Sequence, residues 1–142
     1  MKELDVLVID AQGGGLGRQI ITAVKKEFPK IIITAVGTNA IATSNMLKAG
    51  ADNAATGENA VITGCRRADL IIGPIGIVIA DALFGEVTPR MARSVGQSAA
   101  KRLLIPMPTV NRCDNIVIGA VRLSVDEMLA EITAYLKAEM NQ

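Results

Sequence analysis

Four of the five positions from 13 to 17 are glycines, in the segment VIDAQGGGLGRQI. An apolar run of strand length precedes them and a helical pattern follows, so they lie in a strand-to-helix loop. Glycine permits left-handed backbone and lets a ligand approach the main chain, and the following helix directs unpaired N–H groups toward the same place. The pattern predicts a phosphate or other anion site. The alternative is a tight turn with close helix–strand packing, which needs only one or two glycines.

Comparison with known glycine-rich loops narrows the kind of site. A P-loop ends in Gly-Lys-Ser/Thr, whereas Gly17 is followed by Arg18 and Gln19, so the Walker type is excluded. The dinucleotide fingerprint G-x-G-x-x-G would begin at Gly13, but Arg18 replaces its third glycine. The T-G-x-x-x-G-x-G turn of short-chain dehydrogenases matches better, although only its second half is present.

Two features expected of a dinucleotide-binding dehydrogenase are missing. A carboxylate that binds the ribose of NAD should follow the second strand, yet no charged residue occurs from 31 to 47. The Tyr-x-x-x-Lys pair of short-chain dehydrogenases is absent, since the only tyrosine, Tyr135, has Glu139 at the lysine position. Thr38 and Asn39 could still hydrogen-bond a ribose. NAD(P) or another nucleotide therefore stays open as the cofactor.

Glycine beside threonine, asparagine or proline recurs where other predicted strands end, in the segments GTNA, ATGENA and GPIG. In a doubly wound sheet such loops border one crevice, where the strand order reverses. Each segment alone could be an ordinary turn or cap, for which the same residues are common. Together they predict recognition of a small polar, phosphate-bearing ligand. The predicted binding residues are Asp10, Gln12, Gly13, Gly14, Gly15, Leu16, Gly17, Gly37, Thr38, Asn39, Thr56, Glu58, Asn59, Gly73 and Pro74.

Groups suited to catalysis are few. Histidine is absent, which removes the usual proton shuttle, and with Cys65 and Cys113 far apart no zinc site is expected. Asp10 could bind a ribose hydroxyl or cap the glycine turn. Glu58 lies in the first turn of a helix, where the dipole favours a carboxylate whatever its role, and Cys113 has Arg112 beside it. An enzyme and a non-catalytic metabolite-sensing or assembly module both stay open.

The composition limits the class of protein. Half of the residues are hydrophobic and nearly all of these are aliphatic, which suits a parallel sheet covered on both faces. The net charge is +1, so a nucleic-acid partner is not expected. The longest apolar run is too short to cross a bilayer. The chain passes from Met-Lys-Glu directly into a strand, so no signal peptide is expected. We therefore expect a cytoplasmic protein with no membrane partner.

Strands and helices alternate along the chain. This order predicts right-handed crossovers and a three-layer, Rossmann-like, doubly wound parallel sheet in a single domain spanning 1–142. Six strands would take the order 3-2-1-4-5-6, and a five-stranded flavodoxin-like sheet is the alternative if the third strand is not real. Strands are predicted at 4–9, 31–36, 51–55, 69–72, 102–105 and 115–121, and helices at 16–28, 39–49, 56–68, 75–84, 88–98 and 124–140.

The predicted helix from Ile75 to Phe84 has no polar face, because Asp81 is its only charged residue. A helix that is apolar all round must be buried, and a domain of this size has few internal helix sites. Contact with a second copy of the chain would bury it. We therefore expect a homodimer or larger homo-oligomer with this segment at or beside the interface.

The segments VIDAQGGGLG, GTNA, ATGENA, ADLIIGPIGI, the Thr-Pro helix start and the NRC triplet occur in this order. Together they resemble a small family of clostridial-type bacterial proteins, catalogued as a domain of unknown function. The resemblance covers nearly the whole chain. It implies a Rossmann-like fold and a cytoplasmic bacterial protein, and it implies no particular activity, substrate or catalytic residue.

Overall fold

The structure is a computed structural model that describes residues 3–106, 117–119 and 123–142. Strands and helices alternate as predicted, with a single 3-10 turn after the fourth strand. The strands are β1 (Asp5–Asp10), β2 (Ile32–Gly37), β3 (Asn53–Thr56), β4 (Leu70–Pro74) and β5 (Lys101–Ile105). The helices are α1 (Gly15–Glu27), α2 (Ala40–Lys48), α3 (Glu58–Arg67), α4 (Pro89–Gln97) and α5 (Val125–Met140). The 3-10 turn is Ile75–Val78.

The described strands form one parallel sheet in the order β3-β2-β1-β4-β5. The doubly wound α/β class is confirmed, and the order equals the first five strands of the predicted 3-2-1-4-5-6. Because β3 is present, the flavodoxin-like alternative is wrong. The predicted sixth strand, 115–121, lies outside the described residues except for 117–119, which form a turn. The order reverses between β1 and β4, so the crevice of this fold lies beyond the carboxyl ends of these two strands.

Successive side chains of β1 point to opposite faces of the sheet, which builds two separate cores. Val6 and Val8 pack with residues of α1, α2 and α5, while Leu7 and Ile9 pack with residues of α3, α4 and the 3-10 turn. The strand at the centre of the sheet is therefore buried on both sides. Its C-terminal residue and the loop that follows are held by this packing.

Two predicted helix starts are confirmed by their caps. The Thr88 hydroxyl accepts a hydrogen bond from the Met91 N–H, with proline at the next position. Ser124 and Glu127 form a reciprocal capping box at the start of α5. Within the described ranges, no helix is long and apolar enough to cross a membrane.

The predicted helix over Ile75–Phe84 is wrong. Only the first four residues are helical, as the 3-10 turn, and three non-glycine residues between 81 and 84 have left-handed backbone. β-Branched Ile and Val lose side-chain freedom in a helix, and Gly76 weakens it further, so helix propensity is low here. The all-round apolar character reflects burial of a compact loop rather than a helix.

The loop buries its own apolar residues inside the chain. Ile77, Ala82 and Leu83 are each less than 7% exposed and belong to the core beneath α4. A dimer interface was expected here because an apolar helix would need a second copy of the chain to cover it. The segment is instead a loop whose buried residues are covered within the chain. Phe84 stays 70% exposed at the tip of the loop.

Two smaller corrections concern the start of α3 and the end of β4. Helix α3 is capped by Gly57 with φ of 102°, not by Thr56, whose hydroxyl instead lies 2.7 Å from that of Thr43. Strand β4 was expected to stop before Gly73-Pro74, but it runs through both, and Pro74 pairs in register with Ile105. A proline fits there because it is the last residue of the strand.

Candidate functional site

A cavity of about 260 Å³ lies at the reversal point of the sheet. We call the segment from Asp10 to Gly15 the glycine loop; it forms most of the cavity wall. The end of β4, the loop after the 3-10 turn and the start of α5 complete the wall. The lining residues are Asp10, Ala11, Gln12, Gly13, Gly14, Gly15, Leu16, Gln19, Pro74, Leu83 and Val125.

Two of the four clustered glycines are explained by packing. Gly14 has φ of 69°, and a Cβ there would lie 2.8 Å from the Ala42 backbone. A Cβ on Gly17 would lie 2.5 Å from the Met46 sulfur. These two residues bring α1 and α2 close together, as the packing alternative of the sequence analysis required.

Packing does not require glycine at the other two positions, Gly13 and Gly15. A Cβ on Gly13 or Gly15 would meet no atom within 4 Å, and neither residue has positive φ. Both line the cavity. Nothing in the described part of the chain therefore requires glycine at these positions, and the space above them is open.

Asp10 shapes the loop from within. Its carboxylate is 5% exposed and accepts hydrogen bonds from the N–H groups of Ala11 at 2.8 Å and Gly17 at 2.7 Å. Burial raises the pKa of Asp10, and the bonds from Gly17 and Ala11 offset only part of that rise. With both oxygens occupied by the backbone, Asp10 holds the turn, which was the capping alternative for this residue.

Three N–H groups in or directly after the glycine loop, all on residues that line the cavity, have no acceptor in the described residues. They belong to Gly13, Gly15 and Leu16, whereas the Gly14 N–H donates to the Ala11 carbonyl. Gly15 and Leu16 open α1, where N–H groups have no intrahelical partner. The cavity wall thus offers backbone donors and the positive end of a helix dipole.

Sequence reasoning missed Glu86, which lies between the 3-10 turn and α4. Its Oε1 accepts hydrogen bonds from the Gln12 N–H at 2.9 Å, the Thr38 hydroxyl at 2.7 Å and the Asn39 side-chain amide at 2.7 Å. Burial raises the pKa of Glu86, but the bonds from Thr38, Gln12 and Asn39 outweigh burial and keep it below its ordinary value. Glu86 is therefore an ionised carboxylate joining the glycine loop to the end of β2.

The loop that carries Glu86 has costly backbone geometry. In the described part of the chain, the non-glycine residues with positive φ are Gln12, Asp81, Leu83 and Phe84. All four lie in the glycine loop or just before Glu86. Such conformations cost on the order of 1–3 kcal/mol each and persist where surrounding structure enforces them. Here buried neighbours and a set of backbone hydrogen bonds anchor the loop: Asp81 to Val87, Val87 to Ala82, Gly85 to Asp81 and Glu86 to Leu83.

Of the remaining predicted residues, those at the ends of β2 and β4 lie near the glycine loop, and those at the end of β3 do not line the cavity. Asn39 caps α2 and also donates to the Gln12 carbonyl, so the end of β2 is bound to the glycine loop. Gly37 and Gly73 are packing glycines: a Cβ would overlap Thr43 in the first case and the Ile9 carbonyl oxygen in the second.

The end of β3 lies apart from the cavity lining. Thr56 pairs with Thr43, and the Glu58 carboxylate accepts from the Thr88 hydroxyl at 2.6 Å and pairs with Arg90 at 3.4 Å. Asn59 is exposed. Asp10 lines the cavity and Glu58 does not, and the described residues contain no group of three metal-ligating side chains.

A second groove, of about 440 Å³, lies between α3 and α4 and is lined by Arg66, Arg90 and Arg93. Arg66 and Arg93 form no ion pair with the described residues. Cys65 also lines the groove, but burial raises the pKa of its thiol to about 11, so it is unreactive at neutral pH. Arg112 and Cys113, noted as neighbours in the sequence, lie outside the described residues.

The fold and the loop define a Rossmann-like α/β protein whose glycine-rich loop lies at the reversal point of a parallel sheet. The chain belongs to the family described as a domain of unknown function, DUF3842, whose sequence pattern matches residues 5–141. No curated protein matches it in sequence.

Among solved structures, the chain is similar to a dodecameric FMN-dependent UbiX-like decarboxylase from Escherichia coli O157:H7. The two share 17% sequence identity with a TM-score of 0.54, over 98% of this chain and 95% of that chain. At this level of identity the likeness establishes the fold alone.

Proposed function

We propose that the protein binds a phosphate-bearing small molecule, a nucleotide or dinucleotide, in the cavity at the glycine loop. The observation that carries this proposal is the pair Gly13 and Gly15. Neither packing nor backbone conformation accounts for glycine at either position, and both face the open cavity. A ligand that contacts the main chain does account for it.

The recognition we propose uses the backbone. A phosphate above the loop accepts hydrogen bonds from the N–H groups of Gly13, Gly15 and Leu16, aided by the dipole of α1. The buried carboxylate of Asp10 keeps the loop in this shape, with its oxygens bound to Ala11 and Gly17. The cavity is smaller than the roughly 300–1,000 Å³ typical of ligand pockets, so it suits the phosphate and adjoining sugar of a larger ligand.

A thermal-shift panel tests this proposal. AMP, ADP, NAD, FMN and inorganic pyrophosphate are compared with adenosine, which lacks phosphate; FMN is included because the structural neighbour is FMN-dependent. We expect at least one phosphate-bearing compound to raise the melting temperature by several degrees, as a ligand at about 100 times its Kd stabilises by about 2.7 kcal/mol. Adenosine should have little effect. A flat response to every phosphate-bearing compound would contradict the proposal.

We favour a binding or sensing role over catalysis. Asp10, Gln12 and Gln19 supply the polar side chains among the cavity-lining residues, and the Asp10 carboxylate is occupied by backbone N–H groups. Among the described lining residues, this leaves no free acid or base to transfer a proton. Turnover of a bound nucleotide that is lost in Asp10→Asn, while the variant still binds, would contradict this view.

We also propose that the chain forms a homo-oligomer. The structural neighbour is dodecameric, and the loop before α4 exposes Phe84 by 70%. The homodimer is the simplest such assembly. Light scattering at about 1 mg/mL should give a mass of at least twice 14.9 kDa. A single monomeric species at tenfold higher concentration would contradict the proposal.

A further inference from the structure

We infer that Glu86 is the ribose-binding carboxylate of this site and selects a nucleotide whose 2′ hydroxyl carries no phosphate. The inference rests on the proposed function, because it assigns the sugar next to the phosphate at the glycine loop. It concerns a residue that no local sequence pattern indicates.

The position of Glu86 supports the assignment. In dinucleotide-binding sheets of this topology, an acidic residue near the end of the second strand hydrogen-bonds the ribose hydroxyls. No charged residue occurs from 31 to 47, the stretch that contains β2 and the residues directly after it. Glu86 reaches that place from a distant segment, since its carboxylate bonds to Thr38 and Asn39, directly after β2.

The two oxygens of the Glu86 carboxylate have different environments. Oε1 receives the bonds from Gln12, Thr38 and Asn39. Oε2 receives no hydrogen bond from the described part of the chain. A carboxylate accepts through both oxygens, so one oxygen fixes the side chain in place and the other is left for a ligand hydroxyl.

Glu86 is not itself a lining residue of the cavity, but it contacts one of them. Gln12 lines the cavity beside Gly13, and its N–H donates to Glu86. The carboxylate therefore lies one residue along the loop from the first N–H group that we assign to the phosphate. We place the sugar of the nucleotide at this carboxylate.

The strained backbone indicates that this placement is enforced. Asp81, Leu83 and Phe84, just before Glu86, and Gln12, its partner, all have left-handed φ. Residues held in such conformations cluster at ligand sites. A carboxylate held there accepts hydrogen bonds from a ribose diol and repels a 2′-phosphate.

Isothermal titration calorimetry of the full chain with four probes tests the inference. The probes are AMP, 2′-deoxy-AMP, adenosine 2′,5′-bisphosphate and inorganic pyrophosphate. For the wild type we expect AMP to bind about tenfold more tightly than 2′-deoxy-AMP, as one hydrogen bond to a charged group is lost. The bisphosphate should bind at least about tenfold more weakly than AMP, because two negative charges meet.

The variant Glu86→Gln keeps the shape of the side chain and its oxygen acceptor but removes the charge. We expect the preference for AMP over the bisphosphate to fall about tenfold or more, while pyrophosphate affinity rises by a clearly smaller factor because one negative charge near the loop is removed. Retained pyrophosphate binding shows that the glycine loop is intact, so the larger change in selectivity reports on Glu86 itself.

Three results would overturn the inference. Equal wild-type affinity for AMP and 2′-deoxy-AMP would show that the 2′ hydroxyl makes no contact with Glu86. An equal gain in affinity for every probe in Glu86→Gln, pyrophosphate included, would show that Glu86 repels anions in general and does not select at the 2′ position. In both cases the phosphate site stands. Failure of the wild type to bind pyrophosphate and all three nucleotides would defeat the proposed function as well.

Discussion

Replacing Gly15 with aspartate should abolish nucleotide binding while leaving the unliganded fold intact. The new carboxylate would stand in the cavity beside the N–H groups assigned to the phosphate, and like charges about 4 Å apart repel by a few kcal/mol near a protein surface. We expect affinity for the best ligand of the panel to fall on the order of 100-fold or more. The measurement is titration calorimetry on wild type and Gly15→Asp.

The fold should tolerate this change. A Cβ on Gly15 meets open space, and an acidic residue in the first turn of α1 is favoured by the helix dipole. The matched control is Gly96→Asp, which makes the same chemical change at an exposed glycine of α4 away from the cavity. Equal binding by the wild type and Gly15→Asp would contradict the assigned site, and so would an equal loss in both variants.

Replacing Gly73 with alanine should destabilise the protein strongly. Its Cβ would overlap the Ile9 carbonyl oxygen of the central strand and lie 3.0 Å from the Ile77 side chain. Because the obstacle is backbone inside a parallel sheet, the strands must move apart. Overpacking of this kind costs about 3 kcal/mol, which lowers the melting temperature of a chain this size by about 10 °C. Thermal and urea unfolding monitored by circular dichroism would measure both.

Gly96→Ala is the control for this prediction. Gly96 lies in α4, has open space around its Cβ position and has no positive φ. Alanine there should stabilise the protein by about 0.5–1 kcal/mol, since it restricts the unfolded chain and favours the helix. If Gly73→Ala and Gly96→Ala shift the stability equally, the close approach of β4 to β1 is not as described.

The fold could be predicted from sequence because its signals are local. Strands are indicated by apolar runs of strand length, and the first helix by apolar residues four positions apart from Leu16 to Phe28. Neither signal requires knowledge of the neighbouring elements. The caps at Thr88 and Ser124 likewise depend on residues within one turn. With the elements in order, the handedness of crossovers restricts the sheet to few topologies.

The helix prediction for Ile75–Phe84 shows where local signals fail. Its apolar residues are buried by tertiary contacts of a loop, and apolar composition alone does not distinguish such a loop from a buried helix. The left-handed residues there are ordinary by type, and only the anchoring hydrogen bonds of the fold impose their backbone.

The candidate site was predictable in part for the same reason. The glycine loop is one contiguous segment, so its position after β1 could be inferred from sequence. Which glycines serve packing could not, because the neighbours of Gly14 and Gly17 are Ala42 and Met46 on another helix. Glu86 was missed because it reaches Thr38 from 48 positions away in the chain.

The central claim is that a phosphate binds to the backbone of the glycine loop. It is tested most directly by recording amide ¹H–¹⁵N spectra of the labelled protein during addition of pyrophosphate and of the best nucleotide of the panel. We expect the largest shifts at the amides of Gly13, Gly15 and Leu16, because their N–H groups gain an anionic acceptor. Largest shifts along α3 and α4, around Arg66 and Arg93, with the loop amides unmoved, would contradict the claim.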